Sequence, residues 1–221
     1  KPDYAEANYN MGIALKGMVF TKPNRDLQET IVSVLNTEKY IRPSDLTRSA
    51  ISLLKIEPNF QKHIQFLDDM VIKSPLDVIS DLSEIPLLIK LMSICPIPDL
   101  EVEKLLKKLR CSILSDLIHV KEFSPVLLRF QSALALQCFT NEYIYDYTEE
   151  EEKILKSLDA SVRENLDNND QPGSQVILAL ASYKPLSEYD WCKLLVLTDE
   201  IHEVFTRQVE EPNLEAKLKQ D

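Results

Sequence analysis

Apolar residues recur at helical spacing along most of the chain. Leu27, Ile31 and Val34 form one series; Leu46, Ala50, Leu53 and Leu54 a second; Val102, Leu106, Leu109, Ile113 and Leu117 a third. Residues three and four apart share one face of a helix, so each series predicts one buried stripe. On the third helix Glu101, Lys104, Lys107, Lys108 and Arg110 fall largely off the stripe, which predicts a wet polar face. A later helix is predicted to open at Thr148, with Glu151 three residues on in capping-box register, and to continue through Leu155, Leu158, Val162 and Leu166. Two segments are apolar almost all round, Leu134 to Phe139 and Val176 to Ala181, and are predicted to be helices surrounded by other helices. Between them Asn165 to Gly173 is polar and turn-rich, an exposed loop that could divide two subdomains.

The punctuation between these stripes is proline. The chain has 12 prolines and only 3 glycines, so a sheet-rich fold would lack its turn residues. Prolines sit where helices start or stop, as in Ser124-Pro125, where serine can cap and proline can fill the first turn. An all-α fold follows, and its 221 residues are long enough for a substantial core.

The first residues add a more specific signal. Ala5 to Leu15 resembles the first helix of a tetratricopeptide repeat, with Pro2 where a preceding repeat would end and Gly12 where a partner helix packs closely. Met11 and Leu15 would fill the groove between the two helices. Leu53 to Asn59 looks like another repeat ending, but Pro2 and Pro58 lie 56 positions apart, neither one nor two ~34-residue periods. Residues 1–20 are therefore expected to be the remnant of a tetratricopeptide-like α-α superhelix, continuing over 21–221 into an irregular multi-helix bundle with a possible subdivision near 165–173.

Charge and apolar length narrow the function classes. The net charge of −11 repels phosphate backbones and anionic lipid surfaces, which argues against nucleic acid and membranes as partners. The longest apolar stretch, Ile85 to Pro98, is interrupted by Lys90 and three prolines and falls short of the ~20 residues of a span. Lys1 to Glu6 holds no apolar signal core, and Cys95, Cys111, Cys138 and Cys192 are spaced as free thiols in helices rather than as a disulfide framework. A cytoplasmic protein is expected.

Catalytic chemistry finds little support. Gly12, Gly17 and Gly173 are too far apart for a phosphate-cradling or dinucleotide loop, so neither cofactor nor nucleotide binding is expected of this chain. His63, His119 and His202 show no metal-ligand spacing with one another or with the cysteines. Cys138 and His119 could form a nucleophile and base, though buried thiols are the better account. The run Glu149 to Glu152 could attract a basic partner, but acidic residues in a first turn also complement the helix dipole. Two aromatic groups remain: Phe139, Tyr143, Tyr145 and Tyr147, then Tyr183, Tyr189 and Trp191. Amphipathic rings of this kind close a core edge or form an interface. The candidate interface comprises Phe139, Asn141, Glu142, Tyr143, Tyr145, Tyr183, Tyr189 and Trp191, with Tyr143 and Trp191 on one surface.

The segments Leu134 to Tyr143 and Ala181 to Cys192 resemble bacterial tetratricopeptide-repeat methyltransferase-like proteins. In that family repeats precede a helical region with these two motifs, followed by a class I methyltransferase-like domain that binds S-adenosylmethionine. The resemblance runs from Ala5 through Glu211-Pro212 and implies that this chain is the middle, helical region, a fragment lacking the cofactor loop. No catalytic residue carries over. The function expected is a non-catalytic interaction or scaffolding module that positions a protein partner or neighbouring domain. The alternative is an accessory substrate-binding region of a methyltransferase whose catalytic domain lies elsewhere.

Overall fold

A computed structural model describes residues 3–36, 42–65, 75–117 and 124–210. Pro2, His119 and Glu211-Pro212, singled out above, lie outside the described residues. The described residues form eleven α-helices and no strand, and the fold is all-α. Proline sets the helix starts: α3 (Pro43–Lys55), α4 (Pro58–Gln65), α5 (Pro75–Ser83), α6 (Pro86–Ile94) and α8 (Pro125–Thr140) each begin on one. Its missing N–H would have no intrahelical partner at that position, and its fixed φ is already helical.

The chain divides into two compact units, Lys1–Leu106 and Lys107–Asp221. The boundary falls inside α7 (Leu100–Asp116), and the polar loop at 165–173 lies within the second unit. That loop joins α9 (Glu149–Asp167) to α10 (Ser174–Ala181), and these two helices pack on each other within the second unit. Ile154, Leu155 and Leu158 of α9 pack against the cluster of Leu114, Ala179 and Tyr183.

In the first unit α1 (Asp3–Leu15) packs on α3, α2 (Arg25–Asn36) on α3 and α6, and α5 on α4 and α6. The stripes read from the sequence are the ones buried: Ile31 and Val34 on α2, and Leu46, Ala50, Leu53 and Leu54 on α3. The end of α1 and the residues after it are tied to α3. Leu15 is buried, its carbonyl accepts from the Ser49 hydroxyl, and the Phe20 N–H donates to Ser52 Oγ at 2.6 Å. Gly17 adopts φ +74 just after α1, a left-handed turn that glycine makes without a Cβ clash. His63 is a satisfied structural histidine, its Nε2 2.9 Å from Asp81 Oδ2.

The second unit is built on α8, which is buried nearly all round and packs on α10 and α11 (Asp199–Phe205). Ser124 caps it, accepting from the Leu127 N–H at 3.3 Å. Leu136, Ile177, Leu178, Leu180 and Ala181 are fully buried in one cluster with Val162, Leu186 and Val204. The capping box at α9 forms as the sequence reads: Glu151 N–H donates to Thr148 Oγ1 at 3.2 Å and Thr148 N–H to Glu151 Oε2 at 2.8 Å.

Candidate functional site

The first aromatic segment is a helix-ending turn. After α8 stops at Thr140, Glu142 and Tyr143 both take φ +55, a left-handed conformation that costs a bulky residue roughly 1–2 kcal/mol. Tyr143 holds it at both ends: its N–H donates to the Cys138 carbonyl at 2.9 Å, and its hydroxyl to the Ala181 carbonyl at 3.1 Å. Asn141 donates to the Tyr145 hydroxyl at 3.3 Å. The turn is thereby tied to the end of α10.

Arg110 sits beneath it. The sequence pattern places this residue on a wet face of α7, yet it is only 2% exposed. Its guanidinium carbon lies 4.0 Å from the Tyr183 ring centroid and 5.4 Å from that of Tyr145. The guanidinium donates to the carbonyls of Ser182, Tyr145 and Asp146 at 3.2–3.4 Å. A planar cation stacked on rings and met by carbonyls can be buried where an ammonium could not. Helical periodicity carries no information about partners that lie 35 to 72 positions away, so the stripe misplaced it.

Tyr183 continues the network by donating to Glu151 Oε1 at 2.6 Å. Burial alone would raise the Glu151 carboxyl; the Tyr183 hydroxyl, both Thr148 donors and Arg110 outweigh it and hold the carboxyl below its ordinary value. Burial pushes the Tyr183 hydroxyl up, against the opposing charge of Arg110 and with the help of Glu151. Cys138, fully buried, has its thiol pushed up to about 11 by desolvation, which is the state of an inert core thiol.

The second aromatic segment is a run of tight turns, Leu186–Glu188 and Cys192–Leu194, that folds Tyr189 and Trp191 onto α9. The two rings lie 4.6 Å apart at 31°, and the indole N–H donates to Asp159 Oδ1 at 2.6 Å. Gln208, which no sequence pattern flags, braces the same segment. It accepts from the Leu186 N–H at 3.0 Å and donates to the carbonyls of Ala135 and Ala181.

The eight candidate interface residues are therefore divided by burial. Asn141, Tyr145, Tyr183, Tyr189 and Trp191 are buried, Phe139 and Tyr143 are half-buried, and Glu142 is exposed. Trp191 is 3% exposed. The physical reason is that the polar heads of Tyr143, Tyr183 and Trp191 bond to the Ala181 carbonyl, Glu151 and Asp159, and Asn141 bonds to Tyr145, so these groups are covered with their partners in place.

What reaches the surface is Tyr147, a member of the first aromatic cluster that falls outside those eight, 52% exposed. Its ring lies 6.0 Å from Tyr183 in an edge-on arrangement. Tyr147, Tyr183 and Tyr189 line a cleft of about 180 Å³ with Leu155, and its charged groups are Glu152, Lys156, Asp159 and Lys184. Lys156 pairs with Glu152 at 2.6 Å, and the Lys184 ammonium lies 3.9 Å from the Tyr189 ring centroid.

A larger cleft, about 410 Å³, lies in the first unit where the first turns of α2, α4 and α6 converge. Its acidic groups, Glu29, Glu57 and Glu84, face those helix starts, and Glu57 accepts from the Phe60 N–H at 2.8 Å. Among the described residues no group of three or more histidine, cysteine, aspartate or glutamate side chains is placed to hold a metal ion, and no helix is long and apolar enough to cross a membrane. No protein-family model, curated protein or solved structure matches the chain.

Proposed function

We propose that this chain is a non-catalytic helical interaction module of the cytoplasm whose second unit holds a protein partner at the tyrosine-lined cleft. One observation carries the reading: Tyr183 and Trp191 are held by hydrogen bonds and Tyr189 is stacked on Trp191, and these rings back an open, tyrosine-walled concavity with an exposed ring at its rim. Rigid tyrosine side chains give large contact area at low conformational-entropy cost, which is what a binding surface needs. The strongly acidic chain favours partners of positive charge. The likeness to the helical region of tetratricopeptide-repeat methyltransferase-like proteins fits a part that positions a neighbour rather than one that transfers a group.

An immobilised array of synthetic peptides varying in net charge and aromatic content tests the reading. The full chain should be retained by a subset of peptides, and Tyr147→Ala should lose that retention while melting as the parent does. Absence of any retention, or retention indifferent to Tyr147→Ala, would refute it. Calorimetry with S-adenosylmethionine is the complementary arm. A saturable heat with this chain alone would favour a cofactor-handling role in its place.

A further inference from the structure

We infer that the cleft formed by Tyr147, Tyr183 and Tyr189 receives the ammonium group of a lysine side chain on a basic peptide partner, and that Lys184 of the chain itself holds that position until the partner arrives. The inference rests on the interaction reading above and names the chemistry recognised.

The chain already shows an ammonium in the cleft. Lys184 Nζ lies 3.9 Å from the Tyr189 ring centroid, well within the ~6 Å over which a cation is attracted to a ring face. Lys184 takes part in none of the ion pairs among the described residues, so the ring, not a carboxylate, is what the ammonium has found. Tyr183 is already stacked from within by the buried Arg110 at 4.0 Å and serves as a wall, while Tyr147 stands edge-on to it with half of its surface in solvent.

Size and charge select the ligand class. About 180 Å³ is below the ~300–1,000 Å³ of sites for drug-sized molecules and suits a single side chain. Of the four charged groups, Lys156 is neutralised by Glu152, and Asp159 is held by Trp191 and, at 3.4 Å, by Arg163. An anion would meet the negative faces of the rings and these carboxylates. A cation meets two ammonium groups, Lys156, which Glu152 holds, and Lys184, on a flexible stem that can swing into water. The net charge of −11 steers basic segments toward the surface as a whole.

Lys184 is thus an internal competitor. A ring–cation contact at a partly exposed site is worth about 0.5–1 kcal/mol, so removing Lys184 should tighten an incoming ammonium by about two- to fivefold.

The chain carries its own reporter, because Trp191 is its single tryptophan and its ring lies 4.6 Å from that of Tyr189. Trp191 emission is followed while the full chain is titrated with a short acetylated peptide containing one lysine among glycines. The same peptide with norleucine in place of lysine, and tetramethylammonium chloride, are titrated in parallel. The lysine peptide should give a saturable change and the norleucine peptide none. Lys184→Gln and Lys184→Met should both tighten the lysine peptide by about two- to fivefold, and Tyr147→Ala should weaken it, all with unchanged melting.

Equal response to lysine and norleucine peptides would overturn the inference, as would Lys184 variants that bind no more tightly than the parent. Response to tetramethylammonium without response to the lysine peptide would overturn a peptide source. If the array retains peptides regardless of their lysine content, this inference fails while the interaction reading stands. If the array retains nothing, both fail.

Discussion

Trp191 donates its indole N–H to Asp159 Oδ1 across 2.6 Å, and this bond decides what the chain's only tryptophan is for. A ring that is 3% exposed, stacked on Tyr189 and bonded to a carboxylate of α9 holds the second unit together. Trp191→Ala should therefore lower stability by about 3–5 kcal/mol, the cost of emptying a buried indole site. Trp191→Phe keeps a ring in place and should cost less. Chemical denaturation of the two variants against the parent checks the order, and equal stability of Trp191→Ala and parent would place the ring on the surface.

The partner residue gives an independent handle. Asp159→Ala strands a buried N–H and should cost about 1–3 kcal/mol, while Asp159→Asn preserves an acceptor and should cost less. Arg163 masks little of this effect, since it retains Asp190 at 2.5 Å. Equal melting of the two variants would mean the indole bond contributes nothing.

Glu151 predicts an acid limit. Its carboxyl is depressed below the ordinary 4.5 by Tyr183, Thr148 and Arg110, despite burial. A depressed carboxylate contributes stability that is fully present above the unfolded value and is lost as pH falls through the folded value. The parent should lose stability as pH drops below 4.5, and Glu151→Gln should flatten that part of the profile while being less stable at neutral pH. Parallel stability–pH curves for the two proteins would contradict the assignment.

The apolar centre makes a blunter prediction. Leu136 is fully buried on α8, so Leu136→Asp places a carboxylate among Ile177, Leu180 and Val204 and should cost several kcal/mol or abolish folding. A melting temperature within error of the parent would show that α8 is not central.

How much of this was legible in the sequence depends on the range of the interaction. Local rules worked: proline at Pro43, Pro58, Pro86 and Pro125 starts helices, Thr148 and Glu151 form their box, and the periodic leucines face inward. Each needs only residues a turn apart. Arg110 failed because its burial is decided by Tyr145 and Tyr183, and periodicity sees only the seven or eight residues around it. Burial of Tyr183 and Trp191 was undecidable on the same ground. An amphipathic ring reads alike at an interface and a core edge until its polar partner, Glu151 or Asp159, is known. Tyr147 differs from Tyr145 in nothing local, yet one is half in solvent and the other is not.

That difference also gives the most direct test of the account, which holds that the buried rings are frame and that Tyr147 is contact. The measurement is the affinity of the Tyr147→Ala chain, by calorimetry, for a peptide that the parent retains from the array. The account predicts a loss of binding with a melting temperature equal to the parent's. Undiminished binding, or a collapsed melt, would contradict it.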